Sequence, residues 1–158
     1  MRHLNNLLGA TILSAALLPS LGWADTATVK DRYSDDELVS LLKADGYSSV
    51  ENSKPGAITI RVDGQRHALL VQPDGDLQLY YGVALPGPKL STADMNTWNR
   101  TKRLSRAYLD DEQDPALEAD LMSNGGISRA NIREFVKVFV NTSVPAFRQF
   151  LRERSGDR

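Results

Sequence analysis

The side chains able to do chemistry are few, and their spacing completes no catalytic pattern. Asp110, Glu112 and Asp114 alternate as the first ligands of a calcium loop do. The pattern then fails, because Pro115 stands where that loop needs glycine and Leu121 where it needs a bidentate glutamate. A solvated hairpin turn is the better reading, and no metal is expected. His67 is the one histidine after Ala24 and follows Arg66 in an extended stretch. A catalytic triad needs a base fixed beside a Ser, Thr or Cys and oriented by a third group. No motif supplies those partners, so a hydrolase using His67 and an acidic neighbour is the least favoured alternative. Cysteine is absent, which excludes disulfides, thiolate metal sites and a cysteine nucleophile.

Arg100, Lys102, Arg103 and Arg106 cluster beside Trp98. Aromatic stacking joined to positive charge is how single-stranded nucleic acid is held. The whole chain carries a formal charge of −1. It therefore lacks the overall basic balance that such binding uses, and nucleic acid is not an expected partner. Trp98, Arg100, Arg103, Arg106, Tyr108 and Tyr80 form the candidate binding surface. The competing reading makes Trp98 and Met95 core anchors and the arginines the wet side of a strand. Pro86-Gly87-Pro88-Lys89 has a lysine but no strand–loop–helix glycine pattern, so no cofactor is expected.

Met1–Ala24 reads as an export signal. Arg2 is its charged start, and Leu7–Leu18 is apolar and free of charge. That run is shorter than the roughly 20 residues a membrane span needs. Gly22-Trp23-Ala24 places small residues where a signal peptidase reads, so cleavage is expected before Asp25. The alternative is a retained anchor. Lipidation is excluded by the missing cysteine. Cleavage removes Arg2 and no acidic residue, moving the formal charge from −1 to −2. The expected location is the periplasm or the exterior, with no stable membrane insertion after cleavage.

Residues 25–33 are polar and aperiodic, and read as a flexible tail. Ser34-Asp35-Asp36-Glu37 is a capping box, opening a helix over Asp35–Asp45 with Leu38, Leu41 and Leu42 on one face. Tyr47–Asn52 reads as a weak strand, and Ala57–Val62 as an alternating one. Asp63-Gly64 is a hairpin turn, followed by strands at Gln65–Gln72 and Leu77–Val83. Ala84–Lys89 is a loop. Ser91–Thr101 is a short helix pairing Met95 with Trp98. Leu104–Asp110 and Ala116–Ser123 form a second hairpin, with Tyr108 facing Leu117 or Leu109 facing Leu121. Ser128–Leu151 is a long amphipathic helix whose stripe is Ile132, Phe135, Val136, Phe139, Val140, Phe147, Phe150 and Leu151. Pro145 lacks an amide and crowds the carbonyl of Asn141. That predicts a kink, or two helices meeting near Ser143–Val144. The sum is an α+β fold: an antiparallel sheet of five to six strands packed against helices, in one domain over 34–153 with a tail at 154–158.

Several of these pieces, in their order, resemble the YbjN family of bacterial proteins. They are Trp98-Asn99 leading to Arg103, then Ala107-Tyr108-Leu109-Asp110, Leu117-Glu118-Ala119-Asp120-Leu121, and Gly125-Gly126 before Phe135 in a long helix. Ser34-Asp35-Asp36-Glu37 with Leu38, Leu41, Leu42 and Gly46-Tyr47 fits as well. The resemblance spans Tyr33–Glu153. It implies a type III secretion chaperone-like fold, α-β-β-β-α-β-β-α, and a family described as sensory transduction regulators with no established enzymatic activity. It carries no catalytic residues.

The favoured function is an exported, non-catalytic protein-binding or regulatory module whose partner is unknown, with a homodimer expected. The alternative is a small-ligand sensor, which requires an apolar cavity of about 300 Å³ or more between sheet and helices.

Overall fold

The computed structural model describes residues 28–84 and 90–156. The segment Met1–Ala24, read above as an export signal, and all of the Ala84–Lys89 loop but its first residue lie outside them. The chain opens with a short strand β1 (Val29–Lys30), then helix α1 (Asp35–Ala44). Strands β2 (Ser49–Lys54), β3 (Ala57–Val62), β4 (Gln65–Val71) and β5 (Leu77–Gly82) follow. Helix α2 (Thr92–Thr101) leads to β6 (Arg106–Leu109), β7 (Pro115–Leu121) and β8 (Ile127–Ser128). The chain ends in α3 (Arg129–Val138), a π-helical turn (Phe139–Ser143) and α4 (Val144–Ser155).

Three helices begin with the same local device. At α1 the Ser34 hydroxyl accepts the Glu37 amide at 3.2 Å, while Glu37 accepts the Ser34 amide at 3.0 Å. Ser91 with Asp94 and Ser128 with Asn131 repeat it at α2 and α3. Each reciprocal pair satisfies donors that the first helical turn leaves free.

Six strands form one antiparallel sheet in the order β2-β3-β4-β5-β7-β6. The first four are a meander. Asp63 and Gly64 both hold positive φ, 49° and 73°, as a tight two-residue hairpin requires. After β5 the chain crosses through α2 and returns at the far edge as β6, and β7 then fills the gap beside β5. Strand alternation gives two different faces. Ile58, Leu69, Leu79 and Ala119 align on the face the helices cover, with His67, Tyr81, Leu117 and Ala107 in neighbouring rows. The open face carries the row Glu51, Thr59, Ala68, Tyr80, Glu118 and Arg106.

The C-terminal rod covers the sheet as its periodicity requires. Ile132, Val136, Phe139, Phe147 and Leu151 are buried. Each such side chain contributes about 1.5–3 kcal/mol before chain entropy is subtracted. Pro145 is absorbed by the π turn: the Val144 amide reaches back five residues to the Phe139 carbonyl, and Pro145 falls in the first turn of α4. There a missing amide costs little, whereas mid-helix it costs about 3 kcal/mol. Phe135 and Phe150 depart from the expected stripe and are only partly buried. Phe150 instead flanks Trp98, with ring centroids 5.6 Å apart, and Arg154 lies over the Phe150 ring at 5.2 Å.

Three expectations are corrected. The stretch before Ser34 is not a loose tail from Val29 onward. β1 pairs with β8, Tyr33 is buried, and its hydroxyl donates to the Ile127 carbonyl at 3.0 Å. At the other end α4 continues through Ser155, where Arg154 bridges Asp94 at 3.0 Å, so the chain is anchored beyond Glu153. In the second hairpin Tyr108 faces Ala116, Leu117 faces Ala107, and Leu109 faces Pro115. The turn sets that register: the Asp110 carboxylate accepts the amides of Glu112 and Asp114 at 3.1 and 2.8 Å, closing the loop directly before Pro115.

Candidate functional site

Two places on the domain bring functional side chains together. The first is the open sheet face at the β5–β7–β6 end. Glu118 sits on central β7 and is only 7% exposed. A buried carboxylate requires donors, and its cross-strand neighbours provide them. Arg106 donates from Nε at 2.9 Å and Nη2 at 2.6 Å to one oxygen, and the Tyr108 hydroxyl donates at 2.5 Å to the other. Arg106 is held more firmly protonated by this carboxylate. Tyr108 is pushed well above the usual phenol range, by burial first and then by its bond to Glu118. Tyr80 is raised as well, by burial and by the carboxylates of Asp110, Glu118, Glu112 and Asp114. A carboxylate gripped by a guanidinium and a phenol is a lock between strands. It is poorly placed to take a proton from a substrate.

The candidate surface read from the sequence is only partly assembled. Arg106, Tyr108 and Tyr80 meet around Glu118. Trp98 is 1% exposed and belongs to the core, edge-on to Phe147 with centroids 5.0 Å apart. Its indole N–H donates to the Ser105 hydroxyl at 3.3 Å. Arg100 and Arg103 are exposed, and Lys102 folds over the Trp98 ring at 5.8 Å. The basic residues therefore do not converge on a stacking platform. Glu118, which anchors the cluster, had only its place opposite a basic strand as a signal.

His67 is buried on the helix-facing side of β4, against Tyr81 with centroids 5.5 Å apart. Nδ1 lies 3.2 Å from the Ile60 carbonyl, which can only accept, so Nδ1 carries the proton. Nε2 is buried with no partner among the described residues. Burial lowers the His67 pKa, the Ile60 carbonyl raises it, and Arg148 lowers it further. The hydroxyl or carboxylate that a His67-based hydrolase needs is not among its bonds to the described residues. The Asp110–Asp114 loop uses its first carboxylate inside its own turn. No group of three potential ligands able to hold a metal occurs among the described residues.

The second place is a groove of about 550 Å³ between the β6–β7 edge and α3. Leu104, Leu121, Phe135, Val138 and Phe139 form its apolar walls, with Arg106, Asp120 and Glu134 around it. Its volume falls within the range of ligand sites, roughly 300–1,000 Å³. A larger hollow of about 770 Å³ lies near Arg32, Asp35, Asn52 and Pro73, and charged and amide side chains stand among its walls. The groove exists because Phe135 leaves the core stripe while β6 begins only at Arg106, opposite Glu118, and leaves the last residues of β7 unmatched.

The model of the YbjN family, described as "Putative bacterial sensory transduction regulator", matches residues 34–152. No curated protein and no solved structure matches the chain.

Proposed function

The chain belongs to the YbjN family, and on that premise we propose that it is a non-catalytic regulatory module that works by holding a ligand in the groove between β7 and α3. The observation that carries the reading is the groove itself: about 550 Å³, apolar-walled and open to solvent at the end of a sheet. Its size and lining favour occupation by an apolar group. The reading includes export, from the pattern of Met1–Ala24, and a chaperone-like architecture, from the order of helices and strands. Self-association through the open face, where Tyr80 and Tyr108 are half-buried, is its accompanying proposal for oligomeric state.

Titration with the apolar fluorophore phenylnaphthylamine tests the groove. Saturable binding is expected for the wild type, and a clear loss is expected in Val138→Arg, which narrows the groove from a partly exposed position. A wild type that gives no saturable signal defeats the reading. N-terminal sequencing of the protein from a cell-envelope fraction tests export, with Asp25 as the expected first residue. Sedimentation equilibrium tests self-association, and a monomer across the concentration range refutes it.

A further inference from the structure

We propose that the groove takes an extended peptide of alternating apolar and basic residues, added as a strand to the uncovered edge of β7. This rests on the groove reading above and names the occupant.

The edge is a product of unequal pairing. β5 pairs with β7 as far as Leu121. On the other side β6 pairs with it only from Pro115 to Glu118. Ala119, Asp120 and Leu121 therefore have no strand beside them on that side among the described residues. Leu104 explains the divergence. It holds φ +66°, a left-handed conformation unfavourable for a leucine, and bends the chain just before β6 begins. Soluble proteins keep such free edges short or covered. This one is three residues long and runs beside the apolar groove.

Strand addition uses both features at once. Main-chain bonds to residues 119–121 supply affinity, and alternate side chains of the added strand fall on opposite faces. One set enters the groove against Phe135, Val138 and Leu104. Leu104 is 67% exposed and Met122, just past the edge, is 70% exposed, an apolar surface that the described residues leave uncovered. The other set falls on the open face beside Asp120, whose carboxylate accepts the neutral Gln78 amide at 3.1 Å and feels Arg106 only through space, with no ion pair to it among the described residues. Glu118 is already neutralised by Arg106. On the helix wall Glu134 meets Lys137 at 3.6 Å, with both side chains about two-thirds exposed, a weak pair. On the open face Asp120 thus selects a basic residue in the outward position opposite it, and Glu134 offers a second carboxylate at the groove rim. A free cationic amphiphile would use the groove but not the edge.

The test uses a fluorescent peptide of roughly ten residues alternating valine and lysine, and its copy N-methylated at alternate amides, with phenylnaphthylamine as competitor. The plain peptide is expected to displace the dye from the full-length protein. The N-methylated copy, with the same charge, is expected to bind at least roughly tenfold more weakly. Asp120→Lys is expected to weaken the plain peptide by roughly tenfold, a larger change than it makes in dye affinity measured on the same variant. Circular dichroism confirms that this variant folds. Equal binding of the two peptides refutes strand addition. Dye binding that no peptide displaces refutes the inference while the groove reading stands. Absence of dye binding defeats the groove reading itself.

Discussion

Replacing Trp98 with alanine separates a core residue from a binding residue. The indole is 1% exposed, edge-on to Phe147 at 5.0 Å and to Phe150 at 5.6 Å. Truncating a buried tryptophan costs about 3–5 kcal/mol, and each edge-to-face contact accounts for about 0.5–1.5 kcal/mol beyond area. Phe150 is only partly buried and can settle into part of the void, which places the expected loss near 4 kcal/mol. A domain of this size loses about 3–5 °C per kcal/mol, so Tm should fall by roughly 12–20 °C. Urea unfolding followed by far-UV circular dichroism measures the loss directly. Arg103→Glu, an exposed control from the same basic stretch, should stay within about 0.5 kcal/mol. A loss below about 1.5 kcal/mol for Trp98→Ala would show that α2 does not anchor the core and would refute the packing argument.

Three further outcomes follow from buried groups. His67 has a folded-state pKa below its unfolded value of about 6.5, so the unfolded chain takes up the proton first and stability should fall as pH drops below about 6.5. His67→Phe should flatten that part of the Tm–pH curve, and an unchanged curve would assign the slope elsewhere. Arg106→Ala should cost about 1–2 kcal/mol in urea unfolding, because it leaves Glu118 nearly buried with Tyr108 alone, while the guanidinium's exposure limits the loss. Gly75→Ala should cost at least about 2 kcal/mol, since Gly75 holds φ +101° and an added Cβ would collide with the Asp31 carbonyl oxygen. Faster hydrogen exchange at Val29 and Lys30 in that variant would report the loosened N-terminal strand.

The elements were largely legible because they rest on local rules. Ser34 and Glu37 cap α1 wherever the helix docks, Asp63-Gly64 forces its hairpin, and the stripe from Ile132 to Leu151 needs a surface to cover. Pro145 announced a break, and the π turn meets it just upstream of the proline. What stayed hidden depends on register. Tyr108 opposite Ala116 rather than Leu117 is a difference of one residue, set by how Asp110 folds its own turn. That single step aligns Arg106 with Glu118, and a carboxylate in Leu117-Glu118-Ala119 cannot be assigned its partners before the strands are paired. The groove was invisible for the same reason. Phe135 fits the core stripe in sequence, and only the shortness of β6 beside β7 exposes its flank. Trp98 stood between two readings, an aromatic beside arginines or a core anchor with Met95, and α4 lying on it decides for the core.

Methyl NMR of the selectively labelled protein during titration with the valine–lysine peptide tests the central claim most directly. The account predicts that the methyl signals of Leu104, Leu121 and Val138 shift together and saturate, while those of Leu38 and Leu42, on the buried face of α1, stay in place. Saturable binding that leaves the three groove signals unmoved, or that shifts only residues on the open face around Tyr80 and Tyr108, would contradict it.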